Sequence, residues 1–270
     1  MSDDGDPHAH AHVTRSEVEI PATPGEVWQA ITTSSGSAAW SFPADIEPRV
    51  GGAVHIHREP FGPDASATVT GWEPPHRFAY EERAAAPAPA IATEFLIEAR
   101  EQGSCVVRVV SSLYAEGEGW DDIAEDTGTG WGMALRVLRS YAAHFPGRPA
   151  ARLDLTVPVG APPRARAEVS AAVHEALGLT GRTAGMAFRT PQDAPPLSGV
   201  IDHLGPAFAL LRAERPCPAL FAVSAFPMDA ATLSVNVTGR LYGPRADAVA
   251  AWHRPLWNDL LTRLAAAART

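Results

Sequence analysis

The chain has 270 residues, 46% of them hydrophobic and 20% charged, with a formal net charge of -9 at pH 7. That length suffices for one large or two ordinary globular domains with a buried core, and the acidic balance argues against nucleic acid as a partner, because phosphate neutralisation needs a basic surface. All 22 Lys-plus-Arg positions are Arg, which excludes Schiff-base chemistry through a lysine amine.

Residues 1–12 are acidic and rich in histidine, without the apolar core of a signal peptide. They are expected to form a disordered tail, with the alternating His8, His10 and His12 as polar tail residues and not metal ligands. No apolar run reaches the length that spans a bilayer, so a cytoplasmic protein without a membrane partner is expected. Cys105 and Cys217, the two cysteines, are too few and too far apart for a disulfide framework.

A strand over Val18-Glu19-Ile20 feeds a helix that starts at Thr23-Pro24-Gly25-Glu26. Thr23 can cap, Pro24 suits the first helical position, and Glu26 completes a capping box. Val27, Ala30 and Ile31 share one side of this helix, and residues 34–37 end it. From Arg49 the period becomes two, with Val54 and Ile56 on one face and His55 and His57 on the other. Further strands follow over 66–72, 77–82 (Phe78 and Tyr80 on one face), 91–97 and 105–111, joined by turns at 73–76, 84–89 and 102–103. A long helix then places Trp131, Leu135, Leu138, Ala142 and Phe145 on one stripe, widened by Met133, Val137 and Tyr141. Pro146-Gly147 stops it, and residues 147–151 read as a linker.

Residues 152–270 repeat this plan. A strand over 152–157 leads to a helix opened by Pro162-Pro163 and carrying Val169, Val173 and Leu177. Strand-like pieces lie near 184–189, 199–203, 207–213, 219–225 and 232–241, before a final helix with Val249, Trp252, Leu256, Leu260 and Leu264. Pro255 is expected to kink that helix or to mark its true start. The fold class is therefore α+β: a curved antiparallel sheet around a long C-terminal helix over residues 13–146, duplicated in a degenerate second domain over 152–270.

Five features in order carry a resemblance over the first half. They are Ala22-Thr23-Pro24-Gly25-Glu26-Val27-Trp28-Gln29-Ala30-Ile31-Thr32, then Trp40, then the Gly51-Gly52 pair, then Gly71-Trp72-Glu73-Pro74-Pro75-His76-Arg77-Phe78, and Gly130-Trp131 in the last helix. This half resembles the START-like, or SRPBCC, helix-grip superfamily, and within it the bacterial relatives of the activator of heat-shock-protein-90 ATPase. The resemblance implies an apolar cavity between sheet and C-terminal helix. It brings no invariant catalytic residue, no cofactor and no metal. The chaperone-activating role belongs to members with an additional chaperone-binding domain, of which the sequence shows no sign.

Trp40, Trp72, Phe78, Tyr80, Phe95, Trp131, Leu135 and Tyr141 are the expected ligand-binding residues, because aromatics supply apolar area with a polar handle in Trp and Tyr. His55, His57 and Glu59 alternate on one strand, but Val54 and Ile56 claim the core face, so solvent-facing side chains are favoured over a metal site. Glu94 is expected to face away from the cavity. Asp121, Asp122, Glu125 and Asp126 suit the positive end of the helix they precede. Gly128-Thr129-Gly130-Trp131-Gly132 lacks the spacing and the Lys of a phosphate loop. Three functions follow as alternatives. The first is binding of a small, mainly apolar ligand. The second is a cyclase, dehydratase or hydrolase using His76, Tyr80 or Tyr141 in the same cavity. The third is an interaction module for a protein partner or a homodimer.

Overall fold

A computed structural model describes residues 11–82, 90–114 and 120–268. The tail expected over 1–12 lies outside them up to position 10, as does the turn expected at 84–89. Two compact units form. One comprises Met1–Ser37, Ser41–His57 and Asp64–Ala143, and the other Ala38–Trp40, Arg58–Pro63 and His144–Thr270.

The elements of the first half run β1 (Ala11–Ile20), α1 (Pro24–Thr32), α2 (Ser34–Trp40), β2 (Ala44–Ile46), β3 (Ala53–Ile56), β4 (Ala65–Glu73), β5 (Arg77–Glu82), β6 (Ala90–Ala99), β7 (Cys105–Tyr114) and α3 (Trp120–His144). The sheet order is β1-β7-β6-β5-β4-β3-β2, antiparallel at every pairing. The first strand therefore closes against the last, and the others step back as a meander. Alternation decides the faces. Along β7 Cys105, Val107, Val109, Ser111 and Leu113 are buried, while the residues between them are partly exposed. On the other face the half-buried Arg108 pairs with the exposed Glu17 at 3.1 Å and Glu98 at 3.5 Å on the adjacent strands.

The capping box at the start of α1 forms. The Thr23 hydroxyl accepts from the Glu26 N–H at 3.3 Å, and the Glu26 carboxylate accepts from the Thr23 N–H at 2.8 Å. Residues 34–37, expected only to end this helix, instead open α2. The Thr33 hydroxyl accepts from the Gly36 N–H at 3.1 Å and so caps a new helix. The two helices meet so closely that a Cβ at Gly36 would lie 2.3 Å from the Gln29 carbonyl oxygen, which only glycine permits. His12, placed in the tail by sequence, lies on β1 opposite Leu113. The acidic residues expected before α3 lie within its first two turns, where Asp122 and Glu125 are exposed.

The second unit repeats the topology with β8 (Ala150–Val159), α4 (Arg166–Ala176), β9 (Ala187–Arg189), β10 (Ser198–Leu204), β11 (Phe208–Arg215), β12 (Ala219–Asp229), β13 (Thr232–Tyr242) and α5 (Ala246–Ala267). Its sheet order is β8-β13-β12-β11-β10-β9, again first strand against last and then a backward meander. The strand β8 takes up part of the segment expected as a linker. Pro255 sits inside α5, so it does not mark the start of that helix. Trp257, Leu260 and Leu261 of α5 join Leu153, Phe221, Val235 and Val237 in one core. There a Cβ at Gly239 would fall 3.0 Å from both Leu153 and Phe221, so any side chain at that position would require one of them to give way.

Candidate ligand-binding site

Strand register in the first unit stacks the inward residues in rows across the sheet. One row reads Ser16, Val109, Phe95, Phe78 and Trp72; the next reads Thr14, Ser111, Thr93, Tyr80 and Val69; the last reads His12, Leu113, Ile91, Glu82 and Ala67. Behind the first of these lie Val18, Val107 and Ile97, and behind them Ile20 and Cys105. The face is thus apolar at one end, aromatic in the middle and polar towards the other end.

The aromatic row continues into the helices. Trp28 of α1 meets Trp72 edge to face at 5.0 Å between ring centroids, Trp72 meets Phe78 at 5.6 Å, and Phe78 lies 5.5 Å from Tyr80 and 6.1 Å from Phe95. Phe95 then meets Trp131 of α3 at 5.4 Å, also edge to face. Trp72, Phe78, Tyr80, Phe95 and Trp131 are therefore brought together, and Trp28 joins them. Helical spacing places Val27, Ala30 and Ile31 on one side of this helix and does not single out Trp28. Leu135 and Tyr141 are buried further along α3. Trp40 is buried at the end of α2, in the segment that groups with the second unit.

The helix α3 covers this face unevenly. Leu135, Val137, Leu138, Ser140 and Tyr141 are buried, whereas every residue from 126 to 134 is only half-buried. Gly128 lies over β1: the Ser16 hydroxyl donates to its carbonyl at 3.2 Å, and a Cβ on it would sit 3.6 Å from the Thr14 side chain. One turn on, along the same side of the helix, a Cβ at Gly132 would meet nothing within 4 Å. The Gly128-Thr129-Gly130-Trp131-Gly132 run is helical and offers no phosphate loop.

Polar candidates elsewhere are surface features. His76 is exposed in the β4–β5 turn, with Nδ1 3.2 Å from the Ile97 carbonyl. His57 lies 3.0 Å from Asp45 and 3.1 Å from Asp64, and these carboxylates hold its pKa above the ordinary value; Glu59 takes no part in this cluster. Among the described residues no group of three or more potential ligands is placed to hold a metal. Glu94 faces outward to Arg77 at 2.6 Å. Burial, helped by the charges of Glu19 and Glu26, pushes the Cys105 thiol up to about 11, so it is inert. A cleft of about 550 Å³ lies by Glu19, Pro21 and residues 100–104, and one of about 270 Å³ is lined by Ser170, His174, Leu204 and Pro206; neither involves the aromatic row. No helix among the described residues is long and apolar enough to cross a membrane.

An antiparallel sheet whose first strand pairs with its last, with two short helices after the first strand and a long helix laid across the inner face, defines the helix-grip class. The family model described as Activator of Hsp90 ATPase homolog 1-like protein matches residues 21–143, so that stretch of the chain is similar to this family. Similar solved structures include the Aha1 dimer from Colwellia psychrerythraea, 22% identical, covering 50% of this chain and 98% of its own, with a TM-score of 0.41. The di-domain ARO/CYC BexL of the BE-7585A biosynthetic pathway is 13% identical and covers 95% of this chain and 97% of its own, with a TM-score of 0.44. DynU16 of the dynemicin biosynthetic locus is 17% identical and covers 95% and 99%, with a TM-score of 0.43. No curated protein matches the chain in sequence.

Proposed function

We propose that the N-terminal unit binds a small, mainly apolar molecule between its sheet and the first half of α3. The observation that carries this reading is the contrast along α3. The helix is buried from Leu135 onward, yet only half-buried over 126–134, where Trp131 completes a run of aromatic rings across the sheet. A helix serving packing alone gains from sealing its apolar face against the sheet along its whole length. Aromatic rings beneath a partly exposed stretch of helix suit a guest that replaces water against them, at roughly 25 cal/mol per Å² of apolar area buried before the costs of ordering.

Thermal melting of the full chain with increasing 2-methylnaphthalene tests the reading. A saturable rise in Tm is expected, since a ligand that binds only the folded state stabilises it by mass action. An unchanged Tm up to the solubility limit of that compound contradicts the reading.

A further inference from the structure

In each unit the helix that follows the first strand meets the end of the strand placed fifth in the sheet order, β4 in one and β10 in the other. The first unit fills this junction with Trp28, the fifth residue of α1, whose ring lies on Trp72. The fifth residue of α4 is Ser170, and the second unit has a cleft of about 270 Å³ at the same place in the topology. One wall is a single face of α4, made by Ala167, Ser170, Ala171 and His174; the other is the turn from Leu204 to Pro206.

Ser170 is 4% exposed, and its hydroxyl has no hydrogen-bond partner among the described residues. It does not fold back on the Arg166 carbonyl, as a serine inside a helix commonly does. A buried hydroxyl in that condition costs free energy, and Ala would make a better helix without the cost. His174, one turn on, brings a second polar group to the same face. Burial lowers its pKa, so the ring is neutral at neutral pH. No Asp, Glu or Arg is among the described residues that line the cleft. A hydroxyl and a neutral imidazole can each donate and accept a hydrogen bond, whereas a charged guest would meet nothing to offset its desolvation.

We propose that the cleft between α4 and the β10–β11 turn is a binding site for small uncharged molecules that join a ring-sized apolar body to one amide group. The body lies against the small residues of α4, in the place that the Trp28 ring takes in the first unit. The amide offers one donor and one acceptor side, and it bonds to Ser170 and His174. At about 270 Å³ the cleft falls just under the roughly 300–1,000 Å³ of sites for drug-sized ligands, which limits the guest to a single ring. This site is independent of the ligand-binding reading of the first unit.

The experiment compares cyclohexanecarboxamide with cyclohexanecarboxylate, which match in shape and differ in charge, by equilibrium dialysis against the full-length protein at pH 8. The wild type is expected to bind the amide saturably and about fivefold or more tightly than the carboxylate. Ser170→Ala is expected to weaken amide binding about threefold or more, with a Tm equal to or above that of the wild type, because it removes a hydroxyl that has no partner. Ala171→Trp, at an exposed position, covers the cleft with a ring and is expected to abolish amide binding. Failure of the amide to bind overturns the proposal, and so does equal binding of the carboxylate. Amide binding that survives Ala171→Trp places the amide elsewhere and overturns it too. Unchanged affinity in Ser170→Ala, or a lowered Tm, shows a hydroxyl already bonded within the protein and overturns its role. If Ala171→Trp fails to fold, Ala167→Trp carries the same comparison.

Discussion

The ring of Phe95 on β6 meets the ring of Trp131 on α3 edge to face, with centroids 5.4 Å apart. Through this pair the half-buried stretch of α3 is held to the sheet. Edge-to-face aromatic pairs add about 0.5–1.5 kcal/mol beyond the area they bury. Trp131→Ala is expected to lower the stability of the chain by about 1–3 kcal/mol in urea denaturation and to remove the rise in Tm produced by 2-methylnaphthalene. Trp131→Phe, which keeps a ring at the contact, is expected to retain most of both. A Trp131→Ala protein that the ligand stabilises as well as the wild type would place the ligand elsewhere.

The second unit holds a buried ion pair on the sheet face opposite its helix. Arg240 donates to Asp154 at 2.6 Å and to the Gly239 carbonyl at 2.8 Å, and Arg152 reaches the other Asp154 oxygen at 2.6 Å. Removing one partner of a buried pair leaves a charge without full compensation, so Arg240→Met is expected to cost about 3 kcal/mol or more. Replacing both partners, in Asp154→Leu/Arg240→Met, is expected to recover most of that loss. Equal urea midpoints for Arg240→Met and wild type would show that the pair contributes nothing.

Much of the fold is written in local pattern. Thr23 and Glu26 three residues apart give the start of α1, and the alternation of Cys105, Val107, Val109 and Ser111 gives the inward face of β7. Sequence hid α2, because Ser34 to Ser37 are weak helix formers and only the Thr33 cap and the close approach at Gly36 make them helical. It also hid the polar row. Thr93 and Ser111 belong to strands whose faces were legible, but that they stand opposite each other depends on the register between β6 and β7, which no single strand encodes. Glu82 was masked for the same reason: its alternation with Phe78 and Tyr80 was visible, and its burial against Ala67 and Ile91 was not.

His253 on α5 is fully buried, and neither of its ring nitrogens has a hydrogen-bond partner among the described residues, nor has Nε1 of Trp257 one turn on. Burial lowers its pKa to about 4, so the ring is neutral in the folded state at neutral pH. Its stabilising effect is complete above the ordinary value near 6.5 and is lost as pH falls, because the unfolded chain takes up the proton first. Between pH 7 and pH 4.5 the loss is about 2–3 kcal/mol. His253→Leu is expected to flatten this acid limb in urea titrations at several pH values. An unchanged limb would mean that other groups produce it.

His57 behaves in the opposite sense. Hydrogen bonds to Asp45 and Asp64 raise its pKa, so its small contribution is complete below the ordinary histidine value and fades as pH rises through the folded-state value. In a two-dimensional NMR titration its ring should titrate above the ordinary range, and Asp45→Asn or Asp64→Asn should each bring it down. A His57 that titrates identically in all three proteins would mean that the cluster does not persist in solution.

The most direct measurement is a set of intermolecular NOEs between 2-methylnaphthalene and the full-length protein labelled on Phe and Trp side chains. Contacts are expected from the ring protons to Phe95 and Trp131. Saturable binding with NOEs only to residues outside the space between α3 and its sheet would contradict the account.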